Sequence, residues 1–172
     1  EVVEKPASVI KELVENSIDA GARHIVCEIK NGGISYMRVT DDGCGIAKDD
    51  LENAFLRHST SKILEKDDLE SIKTLGFRGE ALHSIAAVSK TEMMTKRHED
   101  SEGAYIRLSA GNIEENCETG CPDGTTITVK ELFFNTPARM KFLKKDSTEA
   151  GYIEDILRKI ALGNPDISFK FI

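Results

Sequence analysis

An excess of positive charge is missing from this chain: 23 Lys and Arg stand against 30 Asp and Glu, a formal net charge of -7 over 172 residues. That balance excludes a generally basic protein that coats nucleic acid and confines any contact with DNA to a local patch. No apolar run approaches the roughly 18 residues needed to cross a bilayer, and the acidic start at Glu1 is unlike a secretory signal. The expectation is a soluble intracellular protein, cytoplasmic if bacterial and nuclear if eukaryotic, with no membrane partner. Cysteine is sparse and unpaired. Cys27, Cys44, Cys117 and Cys121 form no CxxC and do not sit with histidines at zinc-finger spacing, which argues against a thiolate metal site. Cys27 alternates with apolar residues as a small core residue would, whereas Cys117 and Cys121 flank a Glu-Thr-Gly turn where nothing supports a disulfide. Internal repeats, low-complexity tracts and interdomain linkers are also absent.

What is present is a 40% hydrophobic share, enough for one well-cored domain and short for two. The chain begins without a methionine and ends inside a strand-like run, Ile167 to Ile172, so residues 1–172 are expected to be one domain cut at both ends.

Apolar residues at Val9, Ile10, Leu13, Val14 and Ile18 follow a helical period from Pro6 to Ala20, opened by proline and closed by Gly21. Ile25 to Lys30 and Tyr36 to Asp41 read as strands joined around Asn31-Gly32-Gly33, a hairpin signal. A short helix is expected over Asp49 to Leu56, then a mostly polar connection from Arg57 to Phe77 with a small helical piece around Leu69. A helix follows over Gly79 to Val88, then strands at Thr91 to Lys96, Ala104 to Ser109 and Thr125 to Glu131. A last helix, Glu149 to Leu162, stops at Gly163-Asn164-Pro165 before a final strand. Consecutive strands joined by hairpins predict an α/β fold of the two-layer α+β type, with a mixed, mostly antiparallel sheet and helices on one face.

Three groups of residues carry chemistry. Glu12 and Asn16 lie four apart on the first helix, so they project from one face about one turn apart. A carboxylate can polarise an attacking water, and an amide oxygen is a hard ligand suited to Mg; an ordinary solvated helix face is the plain alternative. At the end of a strand, Asp41-Asp42-Gly43-Cys44-Gly45-Ile46 sets a carboxylate beside two glycines that permit a tight turn and close approach to a flat ligand. Such a carboxylate can accept from an exocyclic amino group, although Asp-Gly turns are common. Leu75-Gly76-Phe77-Arg78-Gly79-Glu80-Ala81-Leu82 places two glycines before a helix, where free N–H groups can cradle phosphates. The spacing is not that of a Walker loop. Thr60-Ser61-Lys62 upstream and Gly124-Thr125-Thr126 downstream offer hydroxyls and a cation, each unexceptional alone. The basic run Arg139, Lys141, Lys144 and Lys145 could face DNA, but reads first as a solvated face balanced by Asp146 and Glu149.

In this order the elements resemble the GHKL ATPases, and within them the MutL mismatch-repair proteins. Glu1 to Gly21, Asp41 to Ile46, Arg57 to Lys62, the GFRGEAL run and Phe133-Phe134-Asn135-Thr136-Pro137-Ala138-Arg139 match in register, the last in a form closer to the bacterial members. The resemblance implies a Bergerat-type fold that binds ATP with Mg and hydrolyses it slowly, Glu12 as general base, Asn16 as Mg ligand and Asp41 reading adenine. Gly43, Gly45 and Ile46 would shape the base pocket with Thr125 beside Asp41. Thr60, Ser61, Lys62 and Gly76 to Leu82 would belong to a lid-like segment around the phosphates. It further implies an arm before Glu1, a following domain that brings a lysine to the terminal phosphate, and a C-terminal dimerisation region, so residues 1–172 alone are expected to be nearly inactive. In the whole protein it implies an ATP-driven homodimer that links a mismatch recognition protein and DNA to a downstream nuclease or helicase. A nucleotide-gated interaction module without required turnover, or another GHKL ATPase, are the rival readings.

Overall fold

Pro6 starts helix α1 (Pro6–Asp19) at its first turn, where a missing N–H costs nothing. The apolar period then buries Ala7, Val9, Ile10, Leu13 and Val14, with Ser17 at the end of the same stripe. Each large side chain fully buried this way contributes about 1.5–3 kcal/mol. The computed structural model describes residues 3–56 and 79–172. The expected polar connection, the helical piece around Leu69 and the motif residues Thr60, Ser61, Lys62, Leu75, Gly76, Phe77 and Arg78 lie outside the described residues.

Strands β1 (His24–Lys30) and β2 (Tyr36–Asp41) form the expected antiparallel hairpin, with Lys30 opposite Tyr36 and Ile25 opposite Asp41. A short 3-10 turn at Asn31–Gly33 joins them. Helix α2 (Lys48–Phe55) follows, then α3 (Gly79–Ala87) and β3 (Lys90–Lys96), β4 (Gly103–Ser109), β5 (Asn112–Thr119) and β6 (Gly124–Lys130). One turn of helix, α4 (Pro137–Met140), precedes the long α5 (Asp146–Gly163) and a final β7 (Ser168–Phe171). Among the described residues the strands form one sheet in the order β5-β4-β3-β6-β2-β1-β7, in which only β1 and β7 run parallel.

The mixed, mostly antiparallel sheet with helices packed on one face is therefore as expected. Alternation does the work: Ile25 and Cys27, Met37 and Val39, Ile127 and Val129, and Ile106 and Leu108 turn to the helices and are almost wholly buried. The other face is polar. Across neighbouring strands, Glu28, Arg38, Thr128, Glu92, Arg107 and Glu115 stand in one row, with a loose ion pair of 3.8 Å between Arg38 and Glu28.

β5, the one-turn α4 and the start of α5 differ from the sequence expectation. β5 falls in a stretch read as turn; it is an edge strand held by β4 through backbone bonds, with nearly every side chain exposed, so no apolar alternation marks it. Cys117 accordingly stands within a strand, and all four cysteines are free thiols. Helix α5 starts at Asp146, before Glu149, because its acidic first turn is polar yet helical. No helix of the described residues is long and apolar enough to cross a membrane.

Candidate functional site

Helix α1 brings Glu12 and Asn16 to the rims of two neighbouring cavities. Glu12 lines one of about 170 Å³ with Ser8, Lys11, Ala81 and Ser84. Asn16 lines the other together with Ser17, Asp41, Gly45, Ile46 and Thr125, whose apolar walls are Leu13, Leu82, Met93 and Ile127. The Asn16 Oδ1 is buried and has no hydrogen-bond partner among the described residues. A buried amide oxygen left open in this way is a hard donor suited to Mg, which keeps most of its shell as water and phosphate oxygens. Among the described residues there is no cluster of three or more His, Cys, Asp or Glu that would make an all-protein metal cage.

Asp41 ends β2 on the helix-facing side, 9% exposed. Its Oδ2 accepts from the Ser17 hydroxyl at 2.6 Å and its Oδ1 from the Gly43 N–H at 2.8 Å. Burial pushes the carboxyl above its ordinary value of 3.8, while the bonds from Ser17, Gly43 and the Thr125 backbone pull the other way. The cavity thus has a buried carboxylate on its floor, held by donors and able to accept more.

The turn after Asp41 is tied down at both ends. The Cys44 N–H donates to the Ala20 carbonyl at the end of α1, and the Ile46 N–H to the Thr95 hydroxyl at 2.9 Å. Gly45 has a φ of 72°, and a Cβ there would collide with the Lys96 carbonyl oxygen. Gly124, at 112°, meets the Asp41 carbonyl in the same way, so β6 can begin hard against the turn only with glycine. Asp42 faces away from the cavity. It accepts from the Arg23 and His24 N–H groups and from His24 Nδ1 at 2.7 Å, closing the start of β1. Slight burial pushes its carboxyl up, but the His24 and Arg23 donors prevail and hold it at about 2.

The structure thus brings together Asn16, Asp41, Gly45, Ile46, Leu82 and Thr125 around one cavity, with Gly43 bonded to Asp41 behind it. Glu12 and Ala81 meet at the adjacent cavity. Gly79 opens α3, and Glu80 beside it is exposed and borders neither space. Thr126 turns to the opposite face of the sheet, towards Thr40. In the basic run, Arg139 donates to the Val3 carbonyl at 3.3 Å and the Lys144 N–H to Glu149 at 2.7 Å, so part of that run supports local structure.

Sequence reasoning missed Ser17 and Thr95. Each left a faint signal: Ser17 is a hydroxyl on the apolar stripe of α1, and Thr95 occupies an inward position of β3 in step with Thr91 and Met93. A polar side chain in a row of buried positions has to be bonded to something.

Comparison with known proteins follows the same lines. A family model described as histidine kinase-, DNA gyrase B-, and HSP90-like ATPase matches residues 4–134. The DNA mismatch repair protein MutL of Agathobacter rectalis is 56% identical over 172 residues, 100% of this chain and 26% of that protein. MutL of Caldanaerobacter subterraneus subsp. tengcongensis is 55% identical over 172 residues, 100% of this chain and 29% of its own length. The chain thus spans between a quarter and a third of these relatives. Among solved structures, the Aquifex aeolicus MutL ATPase domain complexed with ADP has a TM-score of 0.81 at 36% identity, covering 99% of this chain and 60% of that one. A second structure of the Aquifex aeolicus MutL ATPase domain has a TM-score of 0.75 at 35% identity, covering 99% of this chain and 57% of that one. With three quarters of its length under the family model, the chain belongs to the histidine kinase-, DNA gyrase B- and HSP90-like ATPases, as an ATP-binding domain of the MutL type.

Proposed function

We propose that this domain binds ATP with its adenine against Asp41 and, within the longer protein, hydrolyses it slowly with Glu12 as general base. One observation carries the reading: the buried Asp41 carboxylate and the open Asn16 Oδ1 border the same cavity, one helical turn from Glu12. Asp41 offers only acceptors and so takes the amino group of adenine, while Leu13, Ile46, Met93 and Ile127 supply apolar walls for the ring. Asn16 would hold Mg through Oδ1. Bound there, the ion would neutralise phosphate charge. Glu12, a turn closer to the start of α1, would hold and polarise a water, a reading supported by the cavity that it lines.

The chain spans only a fraction of its relatives, so in this reading full turnover, homodimerisation and partner choice are properties of the longer protein, and residues 1–172 alone hydrolyse ATP poorly or not at all. ATP binding would favour pairing of two such domains, which would relay a mismatch recognition protein's signal on DNA to a downstream nuclease or helicase in the bacterial cytoplasm. The test is Glu12→Ala in the complete protein, scored for nucleotide affinity, phosphate release and mismatch repair. ATP affinity is expected to persist while turnover and repair are lost. A variant without turnover that repairs normally would show that binding alone is the working signal, and unchanged turnover would remove Glu12 from the chemistry.

A further inference from the structure

The cavity that Glu12 lines is walled mainly by two helices. Ser8, Lys11 and Glu12 come from α1, and Ala81, Ser84 and Ile85 from α3, each set sharing one helix face by its spacing. Leu82, next to Ala81, lines the cavity of Asn16 and Asp41, so α3 borders both spaces. A water needs roughly 10–15 Å³ of such space. At about 170 Å³ the Glu12 cavity therefore holds several.

A helical serine can turn its hydroxyl back to the carbonyl four residues earlier. Ser17 does so to Leu13 at 3.2 Å, and Ser89, just past α3, to Ile85 at 2.7 Å. The Ser84 hydroxyl makes no hydrogen bond among the described residues. Its proton and both lone pairs are open to the cavity that it lines. Ser8 lines the same space but shares the α1 wall with Glu12, whereas Ser84 supplies a hydroxyl from the other wall.

A water held by Glu12 alone still rotates about that one bond. Attack on phosphorus needs a lone pair in line with the bond that breaks, so the water's orientation matters as much as its ionisation. We infer that Ser84 is the second anchor of the attacking water: its Oγ accepts the proton that Glu12 does not take, and with both protons fixed a lone pair is turned towards the terminal phosphate. As the new oxygen–phosphorus bond forms, the bond to the leaving oxygen breaks and its electron pair departs with ADP. One water proton passes to Glu12, and the other stays on the oxygen now bound to phosphorus, bonded to Ser84. This rests on the reading of Glu12 as general base and adds a second group to the same water. Because the two anchors stand on α1 and α3, the water is held correctly only while those helices are docked.

The experiment measures single-turnover hydrolysis of ATP, and the affinity of a non-hydrolysable ATP analogue by calorimetry, in the complete protein. Ser84→Ala is expected to bind the analogue as wild type does and to hydrolyse ATP roughly ten- to a hundredfold more slowly, the scale of a misplaced reactant. Ser84→Thr keeps the hydroxyl and should restore the rate. Ser84→Cys keeps the volume but offers only a weak acceptor, so it should stay slow. Wild-type hydrolysis in Ser84→Ala or Ser84→Cys would overturn the inference, as would a parallel fall in hydrolysis and analogue affinity, which would reduce Ser84 to packing. If Ser84→Ala does not fold, the other two variants decide: equal rates in Ser84→Cys and Ser84→Thr overturn it. Wild-type turnover in Glu12→Ala would instead overturn the general-base reading and this inference with it, whereas turnover lost in Glu12→Ala but intact in Ser84→Ala would overturn this inference alone.

Discussion

The Ser17 hydroxyl donates to Asp41 Oδ2 at 2.6 Å, joining the last turn of α1 to the end of β2. Desolvation raises the Asp41 carboxyl and this bond opposes it. If Asp41 accepts from adenine as proposed, recognition needs the ionised form, and affinity should fall as pH drops through the raised value. Ser17→Ala should move that loss to higher pH and cost about 1–3 kcal/mol of stability, because a buried carboxylate is left short of a donor. Folding has the opposite sign. A raised folded value means the native chain holds the proton more tightly, so ionised Asp41 costs stability at neutral pH, and the cost is relieved as pH falls through that value towards 3.8. Asp41→Asn should weaken ATP binding severely, and calorimetry across pH 4 to 8 checks both variants.

Asn16→Ala should leave folding nearly unchanged and remove the gain in ATP affinity that Mg produces. Titrating ATP with and without Mg measures this directly. An equal Mg response in the variant would take Asn16 out of the metal site.

Gly45→Ala and Gly124→Ala should each destabilise the domain by several kcal/mol or prevent its folding, since a left-handed backbone and a collision with a main-chain carbonyl coincide at both positions. Urea denaturation provides the measurement. A loss below about 1 kcal/mol would mean that the turn and β6 can part without cost.

Asp42 acts on stability rather than on the ligand. Its carboxyl is held at about 2, below the ordinary 3.8, so its contribution is present above pH 4 and is lost as pH falls from there towards 2. The group is largely solvent-exposed, which limits the effect to about 1 kcal/mol. The stability difference between wild type and Asp42→Asn should therefore shrink over that interval, and a difference that stays constant down to pH 2 would contradict the clamp on Arg23 and His24.

Much of this site is legible in the amino-acid order because its parts are local. Glu12 and Asn16 share a helix face by spacing, and the Asp41 to Ile46 turn is written in consecutive residues. Ser17 and Thr95 were not legible as site residues, because their roles come from pairing distant segments: the spacing within α1 does not name Asp41 as a partner, and the alternation of β3 does not name Ile46. β5 escaped for another reason. It buries no face, so its strand character resides in backbone bonds to β4 and leaves no mark in side-chain hydrophobicity.

Strands β2 and β6 are neighbours in the sheet but leave the ribosome on either side of β3, β4 and β5. A nascent chain can therefore complete the α1 to β2 hairpin region early and still lack a base pocket, since Thr125 and Gly124 have yet to be synthesised. With the proposed base pocket, nucleotide would recognise only the finished pairing. At a hundred times its dissociation constant a ligand adds about 2.7 kcal/mol to the native state alone, so cellular ATP would act on this domain as a post-synthetic checkpoint, retaining chains that have joined β2 to β6 and giving no support to those that have paired either strand elsewhere.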